Sequence, residues 1–164
     1  MAILDVRIDD RLIHGQVCGA WIPQFQLQRI AIVDDEIVND EQRKMALKFG
    51  CPEHCKLSIF NTEKAADKFI RKIDEGIRVM ILCNSPVPIL KMAEYGYEVP
   101  FITVGNISNR LGAVQIARNT FISPEERDAF VKLIDRGVKV YIQNVPNDPR
   151  EDVTSKLKNL YNSR

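Results

Sequence analysis

The feature that most constrains this chain is a rhythm. Six short runs rich in β-branched and other apolar residues recur at residues 3–8, 29–33, 56–60, 79–83, 101–104 and 138–142. Each is four to six residues long. That is short for a helix but fits a strand buried on both faces. Segments with helical spacing separate several of the runs. Parallel strands need crossovers of a dozen or more residues, so such alternation predicts a mostly parallel sheet. The expected fold is α/β: a mostly parallel central sheet of about six to seven strands with helices on both faces. Crossovers should be right-handed, and a small antiparallel edge hairpin should complete the fold.

Capping residues mark the helices. Glu41 to Phe49 ends at Gly50. Asn61-Thr62-Glu63 opens a segment whose Ala65, Ala66, Phe69, Ile70 and Ile73 recur at helical spacing, and Gly76 closes it. Ser123-Pro124-Glu125-Glu126 combines an N-cap, a proline at the first helical position and a glutamate three residues after the cap. It predicts a helix to Asp135, with Gly137 just beyond. Asp148-Pro149-Arg150-Glu151 has the same form and predicts the start of a C-terminal helix. Between Ala113 and Ile122, two short apolar pieces flank Arg118-Asn119, the pattern of the small hairpin. With no repeat, low-complexity tract or long linker, residues 1–164 are expected to form one domain.

Charge narrows the function classes. A formal net charge of +1 gives no reason to expect nucleic acid or an anionic membrane surface as partner. Charge interrupts the N-terminal residues at Asp5 and Arg7, and no apolar run approaches the ~20 residues that span a bilayer. The reading is a cytosolic chain whose Cys18, Cys51, Cys55 and Cys83 stay reduced. Cys51-Pro52-Glu53-His54-Cys55 offers two thiols and an imidazole, but a structural zinc site takes four ligands, commonly as two spaced pairs. Nothing in the sequence indicates that Cys18 or Cys83 converges on that loop. No metal and no cofactor is expected, and His54 reads as a surface residue. Neither GxGxxG nor a P-loop motif is present, which argues against a dinucleotide enzyme or a P-loop kinase.

In sheets of this class, ligands sit outside the carboxyl ends of the strands. The loop after the first strand reads Asp9-Asp10-Arg11-Leu12-Ile13-His14-Gly15-Gln16 and holds one of the chain's two histidines. It leads into a helix expected from near Gly15 through Val17, Ala20 and Trp21 to Pro23. A helix N-terminus suits an anion, and Arg11 has the planar donor fork for phosphate oxygens. Arg7 is a second candidate cation. A neutral imidazole is a good phosphoryl acceptor near pH 7, and a carboxylate can orient the ring by accepting a proton from its other nitrogen. Alternation along the strand points Asp9 and Asp10 to opposite sides, so they should not share one role; Asp10 is favoured as the orienting residue. Asn84-Ser85-Pro86 ends the fourth strand, where Ser85 either approaches the same crevice or caps the next helix. Gly105 and Asn106 form a further candidate rim, Gly105 reading first as a turn glycine.

The stretch from Arg7 to Val17, RIDDRLIHGQV, resembles the signature of the IIB proteins of the mannose/fructose/sorbose phosphotransferase family. Chain length, Val33-Asp34-Asp35, Val104-Gly105-Asn106 and Asn144-Val145-Pro146 extend the likeness. Cys18-Gly19-Ala20 departs from it, where small or hydroxyl residues are expected. The resemblance implies that His14 is phosphorylated, at Nδ1. A phosphohistidine on a cognate IIA domain would be the donor, and a sugar held by membrane IIC and IID subunits the acceptor. The protein would then be a cytoplasmic phosphotransferase, peripheral to the membrane through IIC and IID. The expected site is His14 as phosphohistidine intermediate with Arg11 and Asp10, and Arg7, Asp9, Gly15, Gln16 and Ser85 around the phosphate. A homodimer is left open. Two rival readings are a regulatory or sensory domain phosphorylated on histidine, and a hydrolase or isomerase pairing His14 with Asp9 or Asp10 as general acid and base.

Overall fold

The computed structural model describes residues 3–161. The first half contains β1 (Ile3–Asp9), a π-helical stretch (Val17–Trp21) that continues into α1 (Ile22–Phe25), β2 (Arg29–Val33), α2 (Glu41–Gly50), β3 (Lys56–Phe60) and α3 (Thr62–Ile70). The second half contains β4 (Val79–Cys83), α4 (Val87–Glu94), β5 (Phe101–Asn106), β6 (Val114–Ala117), β7 (Thr120–Ile122), α5 (Pro124–Asp135), β8 (Lys139–Ile142), β9 (Glu151–Asp152) and α6 (Thr154–Asn159).

Seven strands form one sheet in the order β3-β2-β4-β1-β5-β8-β9, parallel except where β9 runs against β8. Strand alternation gives this sheet two cores. Ile30, Ile32, Met80 and Leu82 pack with Leu12 and Trp21 on one face, towards α1 and α2. Ala31, Val33, Val79 and Ile81 pack with Phe69 and Phe130 on the other, beneath α3 to α6. The hairpin β6–β7 is a separate two-stranded sheet, joined to the exit of β5 by a bridge between Ile107 and Thr120.

The capping box at Ser123 forms as the sequence predicts, with both reciprocal hydrogen bonds. Two helix boundaries differ. α3 stops at Ile70, because Lys72 takes a left-handed φ of 57° and Ile73 is exposed. Asp148-Pro149 does not start a helix. Glu151 and Asp152 instead pair with Ile142 and Tyr141, and buried Val153 donates its N–H to the Val140 carbonyl at 2.9 Å. Arg150 lies with its guanidinium carbon 3.7 Å from the Tyr141 ring centroid. Burying one valine is worth about 1.5–3 kcal/mol, which exceeds the roughly 1 kcal/mol of a cap.

β1 sits between β4 and β5, at the centre of the sheet. The chain leaves β1 towards β2 on one side and leaves β4 towards β5 on the other. Right-handed crossovers in opposite directions lie on opposite faces, so the loops after these neighbouring strands splay apart and open a crevice at the carboxyl edge. Residues 10–14 occupy it.

Candidate active site

The corner at the end of β1 is built by Asp9. Its Oδ1 accepts the backbone N–H of Arg11 at 3.0 Å, and its carbonyl accepts the N–H of Leu12 at 2.9 Å. Leu12 takes φ 57°, a conformation that costs a branched residue roughly 1–2 kcal/mol. It is 1 % exposed, and burial of a leucine contributes about 1.5–3 kcal/mol in return. The loop is thereby pinned two residues before His14.

Asp9 is then filled by side chains. Arg11 donates to it in bidentate fashion, Nε to Oδ1 at 3.1 Å and Nη2 to Oδ2 at 3.0 Å. His14 Nε2 lies 2.8 Å from Oδ2. With the Arg11 amide, these bonds use about all four lone-pair sites of an ionised carboxylate, and the carboxylate is 2 % exposed. Arg11 Nη2 also donates to Gln16 Oε1 at 2.8 Å. The Gln16 backbone N–H points at His14 Nδ1 from 3.3 Å. The hydrogen-bond pattern therefore assigns the imidazole tautomer: a proton on Nε2, facing the carboxylate, and a lone pair on Nδ1.

Behind the ring, residues 15–25 are helical and include the π-helical stretch, in which Ile22 N–H reaches the Val17 carbonyl. Pro23 supplies the cause: it has no N–H to give and its ring crowds the carbonyl four residues earlier, so the ladder widens by one residue. The helix starts directly after His14, with its positive end towards the imidazole. Gly15 is exposed there, and a side chain at that position would meet nothing within 4 Å.

The two aspartates have different partners, and it is Asp9, not the Asp10 favoured from the sequence, that touches the ring. Asp10 accepts from Asn106 Nδ2 at 2.8 Å and from the Ser108 backbone N–H at 2.7 Å. It ties the loop after β5 to the His14 loop, with Arg110 3.6 Å away. Adjacent residues on a strand face opposite ways, and only the Asp9 side is folded over by the turn.

Arg7 lies below the surface of the site. It is 1 % exposed and donates to the carbonyls of Gln143 and Asn144. Its guanidinium carbon lies 4.2 Å from the Trp21 ring centroid. Two residues back from the strand end, it sits beneath the loop instead of at its mouth. Burial pushes the Asp5 carboxyl beside it upwards, opposed by the Arg7 charge and by a Thr103 hydrogen bond. Gly105 is no turn glycine. A Cβ there would stand 2.7 Å from Arg7 Nη2, so only glycine leaves room for the buried guanidinium. Ser85 Oγ accepts the N–H of Val87, the first residue of α4, at 3.2 Å. Cys18, against expectation, does approach the loop that holds Cys51: its Sγ is 3.8 Å from the Gly50 carbonyl. Cys83 lies in the other core, all four thiols are free, and His54 is exposed. No group of three or more His, Cys, Asp or Glu that could hold a metal ion occurs among the described residues. Trp21 did more than its apolar spacing suggests, since its Nε1 donates to the Asn144 carbonyl at 2.9 Å.

Three comparisons bear on this geometry. Residues 3–163 match the family model described as the PTS system sorbose subfamily IIB component. The chain is 33 % identical over 160 residues to the PTS system fructose-specific EIIB component of Bacillus subtilis, covering 98 % of each. It is 33 % identical over 162 residues to the mannose-specific EIIAB component of Escherichia coli, covering 96 % of this chain but 50 % of that longer one. Among solved structures, the IIBSor domain of the sorbose permease from Klebsiella pneumoniae superposes with a TM-score of 0.87 at 31 % identity, over 98 % of both chains.

Proposed function

This chain belongs to the sorbose-subfamily IIB components of the sugar phosphotransferase system, and from that premise we propose that His14 is the residue on which it carries the phosphoryl group. IIB components relay phosphoryl groups between a IIA donor and the membrane IIC and IID subunits. The contact between His14 Nε2 and Asp9 Oδ2 at 2.8 Å carries the assignment of the acceptor atom. With its proton held on Nε2, the ring presents the Nδ1 lone pair as nucleophile. That lone pair attacks phosphorus while the N–P bond of the donor phosphohistidine breaks and its electrons return to the donor ring. The phosphorylated His14 ring then carries positive charge, which the Asp9 carboxylate stabilises through Nε2–H. Next, a sugar hydroxyl attacks the same phosphorus and its proton passes to a base beside the sugar. The His14 N–P bond breaks, and the ring returns to its starting tautomer.

The rest of the site is electrostatic, as phosphoryl transfer requires. The Gln16 N–H exchanges its long contact with Nδ1 for a phosphoryl oxygen, and the first turn of the helix faces the same charge. Arg11 spends Nε and Nη2 on Asp9 and Gln16, so Nη1 is the part of its fork left for phosphate. These residues come from one stretch of one chain, and we read residues 1–164 as one domain. No helix among the described residues is long and apolar enough to cross a membrane. We read the protein as working on the cytoplasmic side, brought to the membrane by IIC and IID.

Incubation with a phosphorylated IIA protein, followed by mapping of the label, tests the assignment. His14→Ala should take no label and keep its fold, while exposed His54→Ala should be labelled normally. The adduct should be labile in acid, stable in base, and show the nitrogen-15 shifts of an Nδ1-phosphoimidazole. Label on His54 or on a cysteine would overturn the proposal.

A further inference from the structure

Helix α2 buries none of its residues fully. Lys44 and Leu47 turn towards the body of the protein, while Met45 and Phe49 are 71 % and 93 % exposed. Four residues apart, these two share one face of the helix. Gln42 and Ala46, also exposed, lie on the same side, so the outward face is an uncharged stripe. Exposed Arg43 and Lys48 border it, and Glu41 is paired with Lys44 at 3.0 Å. The helix ends at the site: a Cβ on Gly50 would stand 3.5 Å from Ile13 Cγ2, and Cys18 Sγ reaches the Gly50 carbonyl. Gly50, the residue after Phe49, therefore adjoins the loop that carries His14.

We propose that the Met45–Phe49 face is the docking surface for the phosphorylated IIA donor. The proposal rests on the reading of His14 as acceptor. Transfer between two imidazoles requires the donor to cover the surface around His14, and this stripe is continuous with that surface. Charge suits the donor. Exposed Arg11, Arg43 and Lys48 attract a partner whose phosphohistidine brings between one and two negative charges, by analogy with other phosphorylated side chains. An exposed aromatic and a methionine on a short helix suit a modest, transient interface whose energy is concentrated in a few side chains.

The test compares two phosphoryl sources on the Met45→Ser/Phe49→Ser variant. Phosphoramidate is small enough to reach His14 without docking; a phosphorylated IIA protein is not. The variant should be labelled by phosphoramidate at the wild-type rate, while kcat/KM for the IIA donor falls by about tenfold or more. Once labelled, it should pass phosphate to sugar in vesicles bearing IIC and IID as the wild type does. An unchanged rate with the IIA donor overturns the proposal. So does a defect confined to the vesicle step, which would give the face to the membrane subunits. Wild-type dimers that the substitutions dissociate would give it to a second copy. If phosphoramidate labels wild-type protein somewhere other than His14, the reading beneath the proposal falls, and the label map separates that failure from a docking failure.

Discussion

Two strands of this sheet end in the same dipeptide. β1 runs into Asp9-Asp10 and β2 into Asp34-Asp35, both at the carboxyl edge. The corners are built alike. In each, the first aspartate is buried and turns back on its own loop: Asp9 accepts the Arg11 amide at 3.0 Å, and Asp34 accepts the amides of Glu36 and Ile37 at 2.8 and 2.9 Å. In each, the second reaches across to the loop after a neighbouring strand. Asp10 holds Asn106 and Ser108 after β5; Asp35 holds the backbone N–H and hydroxyl of Thr62 after β3. The difference lies in what else donates to the first aspartate. Among the described residues, Asp34 takes only backbone amides, whereas Asp9 also takes a guanidinium and an imidazole. The doubled aspartate is thus a device for turning a corner at the sheet edge, and the β1 corner differs by gathering Arg11 and His14 on its first aspartate.

The largest effect should separate the two buried aspartates. If His14 carries the phosphoryl group as proposed, Asp9→Asn removes the charge that orients it and compensates its phosphorylated ring, along with the bidentate partner of Arg11. Loss of two charge-assisted bonds at about 1.5 kcal/mol each predicts transfer slowed roughly 100-fold. Asp34→Asn should transfer at the wild-type rate and lose about 1–2 kcal/mol of stability in urea unfolding. Equal transfer rates in the two variants would break the comparison.

Arg11→Lys should come next. The charge survives, but a lysine cannot grip both carboxylate oxygens and also reach Gln16. Single-turnover labelling should slow about tenfold, the equivalent of one charge-assisted bond, with the fold unchanged by circular dichroism. A rate equal to wild type would show that His14 is held by Asp9 alone.

The smallest effect concerns the second aspartates. Burial pushes the Asp35 carboxyl up, but hydrogen bonds from Thr62 and Lys91 and the Lys91 charge outweigh it, so it titrates below the ordinary carboxylate range. A lowered folded-state pKa stabilises the fold above the unfolded value and loses that contribution as pH falls, here below about pH 4. Asp35→Asn should therefore unfold at lower urea than wild type at pH 7, and the gap should narrow as pH falls below about 4. A gap that persists in acid would mean that hydrogen bonding to Thr62, not charge, holds this corner.

The alternating pattern made the architecture legible. The β-branched runs mark six of the seven sheet strands, and the Ser123 capping box marks α5. β9 escaped because two exposed charged residues carry no strand pattern; β8 beside them and buried Val153 decide their conformation. The cluster at the end of β1 was legible as a loop and as residue types, through His14, Arg11 and a carboxylate within reach. The pairing was not. Choosing between Asp9 and Asp10 needs the turn geometry, which depends on Leu12 accepting a left-handed backbone in exchange for burial. The signal for Gly105 was present in the sequence but had no meaning until Arg7 was seen lying against it.

By itself the sequence determined much of what depends on near neighbours: strand and helix alternation, the Ser123 cap, and a loop that places His14 at a helix start. These follow from local sterics and hydrogen bonding within a few residues. The tertiary structure decided what depends on distant ones. It buried Arg7 beneath the carbonyls of Gln143 and Asn144, gave Asp10 to the end of β5 and the loop beyond it, and set the C-terminal end of α2 beside Ile13. Such partners lie up to 137 residues apart, and the choice among them is made by which groups the folded sheet deprives of water. A buried guanidinium or carboxylate must find its hydrogen bonds wherever the packed chain presents them.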